Sequence, residues 1–197
     1  MKLTPSAKRI MDVAMVEFGK NGYNLASTNQ IYPLAGVSKG AIFKIFSSKA
    51  NLFYELFQKA LHDMVNELEA QSFHNIPDVY ERMVGAIFWK VAYAQQHPFE
   101  TAVMFEAITS PPDEIKSKIA THMSDLTKLS IKVFFEDISM DKMKEEYTKE
   151  EVLKNIEISL AGLQAQYLNR PIDLAYLDSI RDESIKYMKT VLRGMEK

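Results

Sequence analysis

Apolar residues recur three and four positions apart along almost the whole chain, and no alternating apolar–polar run bounded by turn dipeptides interrupts them. The pattern predicts an all-α protein of about nine helices. Thr4-Pro5 has the form of an N-cap followed by proline at the first helical position. Ile10, Val13, Ala14 and Phe18 then share one face, so a first helix is expected over about 5–20, with Gly19 and Gly22 bracketing its stop. Ser27-Thr28-Asn29-Gln30 reads as a capping box, Ser27 capping and Gln30 reaching back, and opens a short helix to about Leu34 or Ala35. Gly36 supplies a left-handed stop. Ser38 caps a third short helix whose apolar face is Ala41, Ile42, Ile45 and Phe46. Ser47-Ser48 ends it, and Ser48 caps the next.

The fourth helix has the clearest periodicity, with Leu52, Phe53, Leu56, Phe57, Ala60, Leu61, Met64, Val65 and Leu68 in pairs four apart. It is expected from about Lys49 to Ala70. Pro77 sits well at the start of a fifth helix, about 78–96, that buries Val79, Met83, Val84, Ile87, Phe88 and Val91. His97-Pro98 interrupts it. A short sixth helix (about 99–108) is broken by Ser110-Pro111-Pro112, and a seventh runs to about Asp137. Residues 138–147 read as a loop with a helical turn. Thr148-Lys149-Glu150-Glu151 is a second capping box and opens a helix to about Asn169. Arg170-Pro171 breaks that helix, and Asp173 caps a last one reaching about Gly194. The expected organisation is two domains, residues 1–48 and residues 49–197.

Composition narrows the chemistry. The 197 residues contain no cysteine, which removes disulfides, zinc–cysteine centres, iron–sulfur clusters and thiol nucleophiles. The histidines at 62, 74, 97 and 122 are too scattered for a metal site. There is no nucleophile elbow, no phosphate loop and no paired-carboxylate signature. Neither an enzyme nor a bound cofactor is therefore expected. No apolar run is long enough to cross a membrane, and the first residues lack the apolar stretch of a secretory signal. A soluble cytoplasmic protein is the expectation.

Charge is unevenly distributed. The net charge is −2, yet residues 1–50 carry +5 and the remainder −7. Between Asn21 and Lys49 there are three lysines and no acid. A basic end on an acidic body suits a polyanionic partner at that end.

The turn between the second and third helices has specific requirements. Ala35 is small enough for close helix crossing, and Gly36 takes a positive φ without a Cβ penalty. Val37 plugs the small core, and Ser38 restarts the chain. The third helix then turns Lys39, Gly40, Ala41, Phe43 and Lys44 outward, and its N-terminal N–H groups suit phosphate. Gly40 and Ala41 are small enough to let it sink into a major groove. Two short helices with a tight turn, flanked by supporting helices, form a helix-turn-helix.

At this point a resemblance is carried by Phe18-Gly19, Gly22-Tyr23, Thr28, Ile31, the run Ala35-Gly36-Val37-Ser38-Lys39-Gly40, Phe46, Ser48-Lys49 and Leu52-Phe53. Residues 8–57 resemble the N-terminal domain of the tetracycline-repressor (TetR) family. The rest of the chain matches only in helix number and length. The resemblance implies a homodimeric transcriptional repressor that binds a palindromic operator in double-stranded DNA and releases it when an effector binds the C-terminal domain. It implies that Ser27–Phe46, including Ser27 and Ser38, is the DNA-binding element. Lys39, Gly40, Ala41 and Lys44 would face bases or nearby phosphates, and Thr28 and Lys49 would hold the backbone. Phe43 stands where the family usually has tyrosine, so a phosphate hydrogen bond is lost while the ring can still pack on sugar. The chain departs from the family at Tyr32-Pro33-Leu34, where Pro33 costs of order 3 kcal/mol in a helix interior and can kink the second helix. It departs again at Ile45, where a polar residue is common.

Phe88, Trp89, Tyr93, Met104, Phe105, Ile108, Met123 and Leu126 are expected to line an apolar effector pocket, since methionine and aromatic walls adapt to varied ligands. Plain core packing is the other reading of these positions. In the last two helices Ser159, Ala161, Gly162 and Ala165 allow close approach. Leu177, Ile180, Ser184, Tyr187 and Val191 leave a stripe that suits a homodimer interface. A helical module that binds small molecules, with weak or no DNA binding, is the alternative to a DNA-binding regulator.

Overall fold

The computed structural model describes residues 4–135, 137–167 and 174–197. The described residues form nine α-helices and no strand. These are α1 (Pro5–Leu25), α2 (Thr28–Leu34), α3 (Lys39–Phe46), α4 (Lys49–Ala70), α5 (Val79–Gln96), α6 (Pro98–Thr109), α7 (Lys116–Phe135), α8 (Lys149–Tyr167) and α9 (Leu174–Met195). Short 3-10 turns at Phe73–Asn75 and Asp113–Ile115 precede α5 and α7. The all-α expectation holds. The break at Arg170-Pro171 and the cap at Asp173 lie outside the described residues. So do the side chains of Met83, Val84, Ile87, Phe88, Val91, Ala161, Ala165, Leu177 and Ile180.

The chain divides into two compact units, Met1–Glu67 with Tyr93–Thr121, and Leu68–Ala92 with His122–Lys197. In the first, α1 packs on α2, α3 and α6. Ile10, Ala14, Phe18, Ile31, Ile42, Leu52, Phe53, Leu56 and Phe57 are fully buried there. The rings of Phe18 and Tyr23 meet Phe53 at 5.2 and 5.3 Å.

The sequence-based end of α1 needs correcting. The helix does not stop near residue 20. Gly19 stays helical, and a Cβ there would lie 2.7 Å from the Phe99 backbone, so the glycine is needed for close approach of α1 to α6. Helical geometry breaks instead at Gly22 (φ 69°, ψ 171°), a conformation essentially restricted to glycine. The carboxylate of Glu106 on α6 accepts the Tyr23 N–H at 2.8 Å and so caps the kink.

In the second unit α8 packs on α9 around Phe135, Ile138, Met143, Val152, Ile156, Leu163, Met188, Leu192 and Met195. The capping box that opens α8 forms as read. Thr148 N–H donates to Glu151 Oε2 at 2.8 Å, and Glu151 N–H donates to Thr148 Oγ1 at 3.3 Å. The 138–147 loop also has a partner that periodicity could not show. Met143 bridges Glu196, with Lys144 N–H on the Met195 carbonyl and Lys197 N–H on the Lys142 carbonyl, each at 2.9 Å.

The same unit buries one arginine almost completely. Arg82 is 1% exposed. Its Nε donates to the Ile76 carbonyl and Nη1 to the Phe134 carbonyl, each at 2.8 Å. The guanidinium grips Asp137 with both terminal nitrogens, at 2.6 and 2.9 Å. That hydrogen bonding holds the Asp137 carboxyl below its ordinary range.

Candidate nucleic-acid interface

The turn between α2 and α3 is a complete Schellman motif. Gly36 N–H donates to the Pro33 carbonyl and Val37 N–H to the Tyr32 carbonyl, both at 3.1 Å. Gly36 takes φ +64°, with open space where a Cβ would be. Pro33 sits inside α2, and the last turn still closes through the Ala35 N–H on the Ile31 carbonyl at 3.0 Å. α2 ends at Leu34, one residue after the proline.

Two contacts that local reading missed fix α2 to α1. Arg9 Nε donates to the Ala35 carbonyl at 3.1 Å, placing a cation at the C-terminal end of α2. Glu17 Oε1 accepts the Ser27 N–H at 3.0 Å. Glu17 thus fills the role expected of Gln30, while Ser27 Oγ accepts the Asn29 N–H at 3.2 Å and caps as foreseen. Neither long-range partner leaves a signature at fixed spacing.

On α3, Ile42 and Phe46 are buried and define the inward side. Residues on a helix are 100° apart, so Gly40, Ala41 and Lys44 fall on the opposite side, with Phe43 and Ile45 flanking and Lys39 at the first position of the helix. Lys39, Gly40 and Lys44 are exposed, and Ala41 is half-buried. Phe43 is 40% and Ile45 39% exposed, so Ile45 does not belong to the buried face expected of it. Ser38 occupies the N-cap position without a side-chain capping bond, and its side chain is exposed. Its hydroxyl does not perform the capping role expected of it. Ser48 does cap α4, its Oγ accepting the Asn51 N–H at 3.0 Å. Thr28 is half-buried at the start of α2. Lys49 Nζ lies 4.6 Å above the Tyr23 ring and 3.4 Å from the Asn24 carbonyl, beside the turn that leads into α2. Burial and then Glu114 raise the Tyr23 phenol above its usual pKa, so it stays protonated beside that lysine.

The residues expected to hold an effector are distributed over both units. In the first, Tyr93 and Met104 are buried, and Phe105 and Ile108 half-buried. Tyr93 stacks on His97 at 4.2 Å. Burial pushes its phenol up to about 12, aided by Glu67, Glu100 and Asp63, so it remains a neutral donor. In the second, Trp89, Met123 and Leu126 are half-buried. A groove along α9, lined by Asp182, Ile185, Lys186, Lys189, Thr190 and Arg193, contains none of them. Among the described residues no three His, Asp or Glu side chains converge to hold a metal ion, and no helix is long and apolar enough to cross a membrane.

Two short helices joined by a Schellman turn, braced by α1 and α4 and presenting a basic outer face, define a helix-turn-helix domain. Residues 10–56 match the model of the bacterial regulatory proteins, tetR family. Over these residues the chain is similar to the amino-terminal domain of that family. It is 26% identical over 99 residues to the HTH-type transcriptional regulator YhgD of Bacillus subtilis, covering 50% of this chain and 51% of that protein. The chain thus spans about half the length, or less, of the curated relatives it matches. The fold is shared over nearly its whole length with solved structures. The fatty acid degradation regulator FadR from Bacillus halodurans superposes with a TM-score of 0.68 at 19% identity, over 94% of this chain and 97% of that one. FadR from Bacillus subtilis, in complex with stearoyl-CoA, superposes with 0.64 at 16% identity, over 91% and 98%.

Proposed function

We propose that this protein is a transcriptional regulator that binds double-stranded operator DNA through α2 and α3. The observation that carries the reading is the outer face of α3. Lys39 and Lys44 flank the small Gly40 and Ala41, in a stretch from Asn21 to Lys49 with no acidic residue. Such a face fits a major groove and neutralises phosphate. Thr28 and Lys49 hold the phosphate backbone, and Ser27 and Ser38 stand at the two helix starts that approach it.

The protein acts as a homodimeric repressor on a palindromic site. Ile158 on α8 and Tyr187 on α9 are 59% and 46% exposed, which supports a partner for those helices. A small apolar effector, fatty-acyl in character, releases the DNA. The support is the methionine-rich and aromatic composition of α5 to α7 and the stearoyl-CoA held by a structural relative.

The test is a titration of full-length protein against duplexes selected from a randomised pool, repeated over a salt series. Affinity is expected to fall with log salt at a slope of about 0.9 per phosphate neutralised. The double variant Lys39→Glu/Lys44→Glu is expected to weaken binding about 100-fold without changing helix content. Unaltered binding by that variant refutes the interface. A monomeric mass at micromolar concentration refutes the dimer. Absence of both a thermal shift and DNA release across a panel of long-chain acyl compounds refutes the effector class.

A further inference from the structure

We infer that α3 reads its DNA site chiefly through thymine methyl groups, contacted by Phe43 and Ile45, with Lys39 and Lys44 reading only acceptor atoms such as those of guanine. This rests on the proposed DNA binding and concerns which base features the helix senses.

The residues of α3 not committed to the core are Lys39, Gly40, Ala41, Phe43, Lys44 and Ile45. None carries a hydrogen-bond acceptor on its side chain. An ammonium group donates three hydrogen bonds and accepts none. In the major groove guanine shows two acceptors and thymine one acceptor with the C5 methyl, whereas the amino groups of cytosine and adenine require an acceptor on the protein. The helix therefore has no side chain able to accept from cytosine N4 or adenine N6. What the side chains of α3 can sense is therefore an acceptor, at guanine N7 and O6, adenine N7 or thymine O4, or the thymine methyl.

Phe43 and Ile45 are 40% and 39% exposed, on either flank of the outward direction. Among the described residues only eight large apolar side chains are exposed, and Leu25, Leu34, Phe43 and Ile45 fall within this short basic stretch. Apolar groups on a face that otherwise carries only lysines and small residues have a natural complement in the one apolar group of the groove wall. Gly40 and Ala41 keep the centre of the helix low enough for both flanks to reach it.

The experiment uses full-length protein and the tightest duplex recovered from a randomised pool. Each thymidine is replaced in turn by deoxyuridine, which removes the methyl and keeps the pairing and the O4 acceptor. Affinity is expected to fall about fourfold at each thymine beneath α3, the worth of one buried methyl, and to stay unchanged elsewhere. In Phe43→Ala and Ile45→Ala the penalty at the touched thymine is expected to vanish, with folding of both variants confirmed by helix content from circular dichroism. A duplex bound with an affinity indifferent to deoxyuridine at every position overturns the inference while leaving DNA binding intact. So do penalties that persist unchanged in both variants. Failure to retain any duplex overturns the inference together with the reading beneath it.

Discussion

Residues 27–48 and the surroundings of Arg82 are held by opposite means. In the first segment almost every structural decision is made within four positions of the residue responsible. Ser27 caps through the Asn29 N–H, Gly36 and Val37 close the Schellman turn, and Ser48 caps α4 through the Asn51 N–H. In the second, Arg82 reaches a carbonyl at residue 76, another at 134 and a carboxylate at 137. Closing such a loop costs chain entropy before any bond repays it. The difference teaches where each segment is vulnerable. The polar contacts of the first rest on backbone conformation, and those of the second on one side chain.

The largest effect is therefore expected at Arg82. Arg82→Ala leaves the Ile76 and Phe134 carbonyls without their donor and opens a void the size of a long side chain. A loss of about 3 kcal/mol is expected, read as a lower urea midpoint. Arg82→Met refills much of the void and should recover little if the hydrogen bonds matter most. Full recovery in the methionine variant would place the effect in packing and erase the contrast.

Backbone conformation provides the complementary test. Gly22 and Gly36 both have positive φ, but ψ and surroundings differ. Gly22 lies in a region closed to other residues, and a Cβ there would come 3.1 Å from Glu106 Oε1. Gly22→Ala is expected to cost about 2 kcal/mol. Gly36 is in the ordinary left-handed region with open space around it, so Gly36→Ala should cost about 1 kcal/mol and Gly36→Asn less. Thermal melts of the three variants check the order. Equal losses at the two glycines would mean that the Glu106 cap adds nothing to the kink.

Legibility follows the same division. The Schellman turn, the caps at Ser27 and Ser48 and the capping box at Thr148 were readable because their partners stand at fixed short spacing. The outward set on α3 was readable for the same reason. Ile45 was misplaced because an eight-residue helix offers barely two turns in which to define a face. The extension of α1 past Gly19 was hidden because glycine reads as a stop, whereas here it admits the Phe99 backbone. No spacing pattern in the sequence marks Glu17, Arg9, Glu106 or Arg82. Each is a clamp whose partner lies 10, 26, 83 or up to 55 residues away. A pattern of polar and apolar positions says which face is wet. It does not say which polar group has been taken inside to hold a carbonyl.

The smallest expected effect bears on whether the Arg82 clasp is electrostatic or mainly a set of hydrogen bonds to carbonyls. The Arg82 guanidinium holds the Asp137 carboxyl below its ordinary pKa of about 3.9. A carboxyl with a depressed folded pKa stabilises the fold above its unfolded value, and that stabilisation disappears as the pH falls through the folded one. The urea midpoint of the native chain should thus show an acid-dependent loss below about pH 4 that Asp137→Asn lacks, with the two curves parallel from pH 5 to 8. The Asp137 side chain is 61% exposed, so solvent screening holds this share to well under 1 kcal/mol. Most of the cost of Arg82→Ala should then persist once acid has protonated Asp137, because the two carbonyl bonds remain. If acid alone reproduces the full loss, the carboxylate rather than the carbonyls is what the buried arginine serves.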